Sequence, residues 1–86
     1  MKIIYRIDLD GKEQLQNDET GTSEVIDKAS KRLGYVLTEF SMEIEGETVE
    51  VTALSPDTIM GTQRVEIERL IRSKYKMLKQ IKRIIL

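Results

Sequence analysis

The chain has no cysteine, no histidine and no tryptophan, and a single proline and a single phenylalanine among its 86 residues. Without cysteine there is no disulfide to staple so short a chain. Without cysteine or histidine a structural zinc site loses its usual ligands, because carboxylates alone rarely hold structural zinc. The same two absences remove the commonest general base and the strongest side-chain nucleophile. Ser23, Ser30, Ser41, Ser55 and Ser73 sit in no Gly-x-Ser-x-Gly elbow, and no glycine spacing matches a phosphate-cradling loop. No catalytic constellation emerges, so the chain is read as not an enzyme, with no cofactor, metal or small-molecule substrate expected.

Long apolar runs are lacking too. The opening Met-Lys-Ile-Ile-Tyr-Arg-Ile-Asp places a charge every few residues, whereas a secretory leader needs about 7–15 apolar residues in a row. No run approaches the roughly 18 residues of a membrane span. A cytoplasmic address is therefore expected, and the lack of cysteine fits a reducing compartment.

What is present is a globular composition, 40% apolar and 34% charged. The length suits one domain spanning residues 1–86. A chain of this size buries only about 60–65% of its unfolded surface, so packing, aided by self-association, has to supply the stability. The net charge of −1 conceals an asymmetry. Residues 1–61 carry 6 Lys/Arg against 13 Asp/Glu, net −7, while residues 62–86 carry 8 against 2, net +6. Two such regions attract each other, within one chain or between copies.

Periodicity divides the chain into an acidic α+β body, residues 1–55, and a long basic helix, about residues 56–85. Ile3, Tyr5, Ile7 and Leu9 alternate with Lys2, Arg6 and Asp8, as in a half-buried strand. Asp10-Gly11 then predicts a tight turn, because hairpin loops need positive φ, and Lys12–Gln16 a short returning strand. The segment from Asp8 departs from a calcium loop, since glycine falls at the fourth position and lysine at the fifth, so the hairpin explains it better. Thr22 or Ser23 suits the cap of a short helix with Val25, Ile26, Ala29 and Leu33 on one stripe, ended by Gly34. Val36, Phe40, Met42 and Ile44, then Val49, Val51 and Ala53, alternate on either side of Gly46 and predict the best hairpin of the chain. Ser55-Pro56-Asp57 reads as a helix start, with serine as cap and proline preformed in the first turn. Whether that helix breaks at Gly61 is left open. The expected fold is α+β: a small antiparallel or mixed sheet of 3–4 strands, with a short helix and a long C-terminal amphipathic helix on one face.

In heptad notation from Ile67, the a, d and e positions of the last helix hold Ile67, Leu70, Ile71, Lys74, Met77, Leu78, Ile81, Ile84 and Ile85. Such a face is wide enough to cover a sheet. A continuous helix from Pro56 to Leu86 would extend roughly 45 Å, well past strands of about 27 Å. Lys74, Met77, Ile81, Ile84, Ile85 and Leu86 would then form a partner interface, since exposed apolar surface of that kind marks interaction sites. Opposite them, Arg69, Arg72, Lys76, Lys79 and Arg83 line one stripe suited to phosphates or an acidic partner, although no aromatic accompanies them for base stacking. Glu39, Glu43, Glu45, Glu47 and Glu50 gather on the outer face and tip of the hairpin. The reading favoured by these patterns is a non-catalytic protein-interaction module, self-associating or docking a partner through its C-terminal helix. The alternatives are a nucleic-acid-binding domain using the basic stripe, or an inhibitor presenting the acidic hairpin to a nucleic-acid enzyme.

Overall fold

The structure is a computed structural model that describes residues 1–17, 34–56, 64–80 and 83–86. Its elements are strands β1 (Lys2–Ile7), β2 (Glu13–Asn17), β3 (Tyr35–Ile44) and β4 (Glu47–Pro56), helix α1 (Arg64–Gln80) and strand β5 (Arg83–Ile85). All five strands form one mixed sheet in the order β3-β4-β1-β2-β5. The α+β class stands, with five strands in place of the expected three or four.

Two hairpins build most of this sheet. In the first, β1 and β2 pair antiparallel from Ile3–Asn17 to Ile7–Glu13. The Gly11 N–H donates to the Asp8 carbonyl at 3.0 Å, and Gly11 takes φ +80°. This is a β-turn followed by a left-handed glycine, the usual three-residue hairpin loop. The Asp8 carboxylate accepts from the N–H groups of Asp10 (3.0 Å) and Lys12 (2.8 Å), which fixes the loop. Leu9, expected on the core face, is exposed, because the strand ends at Ile7 and the turn redirects the chain.

In the second hairpin, β3 and β4 pair residue for residue from Tyr35–Pro56 to Ile44–Glu47, with no bulge. Glu45 and Gly46 close it with φ +53° and +78°. Positive φ at both central residues marks a type I′ turn, whose twist matches that of the strands. β4 continues through Ser55 and Pro56, so these residues end a strand and do not start a helix. Proline is tolerated there because position 56 faces β1, whose pairing with β4 ends at Leu54–Arg6, and no ladder bond is lost.

The hairpins meet along a parallel seam between β1 and β4, from Lys2–Glu50 to Arg6–Leu54. β5 pairs antiparallel with the outer side of β2, so it runs parallel to β4. Parallel strands need a crossover connection, and α1 supplies it by passing over the sheet from the β4 side to the β5 side. Ile67, Ile71, Tyr75 and Leu78 are its buried residues. They pack with Ile3, Tyr5, Ile7, Leu15, Met42, Ile44, Val49, Val51, Ala53 and Ile84 into one core. Each fully buried Val, Leu, Ile or Met among them contributes about 1.5–3 kcal/mol. Ile4, Leu54 and Pro56 are also buried, on the opposite face of the sheet.

Two expectations for the C-terminal third are corrected. The helix ends at Gln80, and residues 83–85 form a strand instead of further helical turns, so Ile84 and Ile85 are not carried past the sheet on a helix. The short spacing of Ile84 and Ile85 fits either element. Its covered face is also rotated: Tyr75 lies in the core, whereas Met77 is 43% exposed and Lys74 lies at the margin. Asp57, in the expected helix start, and Gly61, where a break was left open, lie outside the described residues, as does the short helix expected after Thr22 or Ser23.

Candidate functional site

The predicted partner interface does not assemble on one helix face. Ile84 is buried against Leu15, its register partner in β2, and belongs to the core. Ile85 alternates to the other face and is 58% exposed, followed by Leu86 at 39%. Met77 is exposed on the helix and Lys74 is half-buried beside it, while Ile81 lies outside the described residues.

The cationic stripe is likewise divided. Arg69, Arg72 and Lys76 are exposed on α1. Arg83 has left the helix for β5, opposite Gln16. Lys79 reaches the tip of the β3–β4 hairpin, with its Nζ 4.0 Å from both Glu45 and Glu47 and 4.5 Å from the centre of the Tyr75 ring.

The acidic set splits in the same way. Register places Glu39, Glu43 and Glu50 on the face away from α1, and Thr48 donates to Glu43 at 3.4 Å. Glu45 sits in the turn. Glu47 points the other way and accepts a hydrogen bond from the Tyr75 hydroxyl. That bond holds the Glu47 carboxyl below its usual pKa, aided by the Lys79 charge, and holds the Tyr75 phenol above its own. The hydrogen bond with Tyr75, reinforced by nearby Glu47 and Glu45, raises the Lys79 ammonium pKa. This cluster fastens the helix to the hairpin tip. It is a structural clasp, since each of its groups is occupied by the others.

Sheet edges form the remaining candidate surface, and periodicity did not single them out. β5 offers a short edge. The Leu86 N–H donates to Glu13 at 2.9 Å, so Ile84 shares that inward phase and only Arg83 and Ile85 turn their backbone groups outward. β3 offers a long one, with no strand on its outer side among the described residues. The type I′ turn makes Ile44–Glu47 a hydrogen-bonded pair. Alternation then directs the N–H and C=O groups of Val36, Thr38, Phe40, Met42 and Ile44 to β4, and those of Tyr35, Leu37, Glu39, Ser41 and Glu43 to the open side.

Arg64 agrees with this phase. Its Nη2 donates to the outward Ser41 carbonyl at 3.4 Å, its guanidinium lies 4.8 Å from the centre of the Phe40 ring, and its Nε bonds Glu68 at 3.1 Å. The first turn of α1 therefore covers the edge at Ser41 and leaves Tyr35–Glu39 uncovered by it. Within that stretch Val36 is 49% and Leu37 38% exposed, on opposite faces of the strand. The available sequence signal was mixed: β3 contains neither proline nor a cation, while Glu39 and Glu43 supply charges that discourage edge pairing.

No helix among the described residues is long and apolar enough to cross a membrane. In comparisons with known proteins, the chain matches no protein-family profile, no curated protein and no solved structure.

Proposed function

We propose that this chain is a non-catalytic protein-interaction module that engages its partner along the open edge of β3. The observation that carries the reading is the run Tyr35–Glu39, which has no neighbouring strand on its outer side among the described residues and whose outward N–H and C=O groups come with two exposed apolar side chains. An edge of this kind is a template for another extended chain: backbone bonds supply affinity, and alternate side chains supply selectivity. The nucleic-acid alternative has less support, since Arg83 lies off the helix and Lys79 is engaged with the hairpin tip.

The test is capture with wild-type and Leu37→Pro chains as bait, followed by mass spectrometry. Proline at this edge position removes an N–H that no strand of the described sheet uses, so the fold is expected to persist. The expected result is a bound chain, of its own kind or foreign, that the wild type retains and the folded variant loses. Equal retention by both baits would overturn the proposal.

A further inference from the structure

We infer that β5 is a detachable latch over the outer edge of β2, and that the slot beneath it takes an extended peptide segment with a branched aliphatic residue at the place of Ile84. This site lies at the other end of the sheet from β3 and does not depend on the edge reading above. The β2 edge shows its own occupant: residues 83–86 of this chain sit on it and define the chemistry that fits.

The hold on β5 is slight. Its pairing runs only from Gln16–Arg83 to Gln14–Ile85, and the Leu86 N–H adds one bond to the Glu13 carbonyl at 2.9 Å. Ile84 alone among residues 83–86 is buried, while Arg83, Ile85 and Leu86 are exposed. Arg83 makes no ion pair among the described residues. Ordering a chain end costs conformational entropy at every residue fixed. Here one buried side chain and a few edge bonds have to offset that cost.

β2, in contrast, is held without β5. It pairs with β1 from Ile3–Asn17 to Ile7–Glu13, and the buried Asn17 side chain donates to the Leu78 carbonyl at 3.4 Å. The latch can therefore open while the rest of the sheet stays folded, as segments held by few apolar contacts do. Opening leaves a defined slot. The Leu86 bond shows that Glu13 faces β5, and alternation turns Leu15 the same way, so their N–H and C=O groups come free together. On the helix side, Ile84 vacates an apolar gap beside Leu15. Backbone pairing supplies affinity to an incoming segment, and the gap supplies selectivity. A polar side chain there would be buried without a partner.

Amide hydrogen exchange on the whole chain tests the latch. The Leu15, Ile84 and Leu86 amides should exchange at least about 100-fold faster than the Tyr5 and Arg6 amides of β1. Their rates should barely respond to low urea, because opening the latch exposes little surface. The slot is tested in Ile84→Ala, which weakens the latch of the chain itself. A peptide with the sequence of residues 81–86 should return the Leu15 amide of that variant to slow exchange. The same peptide with alanine at the place of Ile84 should need a concentration about tenfold higher or more.

Exchange of Leu15, Ile84 and Leu86 at the β1 rate, with the same steep urea response, would overturn the inference, since β5 would then leave only with the whole fold. So would a Leu15 amide that the peptide never slows at up to about 1 mM. Where Ile84→Ala does not fold, the wild-type exchange comparison decides. Leu37→Pro is expected to alter neither result, so failure here and failure of the β3 reading are separately visible.

Discussion

Glu45 holds φ at +53°, a left-handed conformation that crowds any side chain with a Cβ. Its neighbour Gly46, at +78°, carries no such cost. Asn tolerates this region better than Glu and is the favoured first residue of a type I′ turn. Glu45→Asn is therefore expected to stabilise the chain by about 0.5 kcal/mol in urea unfolding, since the exposed contact it gives up with Lys79 is worth little. Two residues on, the Tyr75–Glu47 bond sets a pH dependence. Glu47 has a depressed folded-state pKa, so its contribution is complete above the unfolded value of about 4.5 and is lost as pH falls through the lower folded value. Tyr75→Phe should flatten the acid limb of stability, which denaturant titrations between about pH 5 and 2 would read. An unchanged limb would show that the clasp does not couple to folding.

At the level of elements, β5 is the part most open to a direct check. In a strand Ile84 and Ile85 face opposite ways, whereas a continued helix would place both on its covered side. Ile84→Ala should cost about 2–3 kcal/mol and Ile85→Ala less than about 0.5 kcal/mol, measured at low concentration. Equal costs would contradict the strand. The sequence made the β3–β4 hairpin legible because Val36 to Ile44 and Val49 to Ala53 alternate cleanly around Gly46. The β1–β2 turn was legible from Asp10-Gly11. β5 was not, because three residues are too few to show a period of two and their spacing continued the helical count. Ser55-Pro56-Asp57 misled for a different reason: a good helix cap is also compatible with the end of a strand, and pairing with Val36 and Tyr35 decided the outcome. The heptad frame set from Ile67, Lys74 and Ile81 leaves Tyr75 off the a, d and e positions. The actual face follows Ile67, Ile71, Tyr75 and Leu78. Of the expected interface residues, Met77, Ile85 and Leu86 are exposed, while the β3 edge went unseen because edge position is a property of topology.

Across the whole molecule, charge and contact are separated. Arg69, Arg72 and Lys76 lie exposed on α1, while the open edge presents mainly backbone and apolar groups. Partner retention through that edge is expected to change little between about 50 and 500 mM salt, because Glu39 is the single charged side chain in the run Tyr35–Glu39. Steep weakening over that range, seen in the same capture experiment, would point to the cationic helix instead. The topology also has a temporal side. Lys2 finds its neighbour Glu50, and Arg6 finds Leu54, only across the β1–β4 seam. During synthesis at about 5–20 residues per second, the first hairpin therefore waits about 2–7 s for β4, and its other flank waits longer still for β5. An isolated two-stranded hairpin is at best marginal in water, so the order of the sheet ties the persistence of the first hairpin to strands made after it.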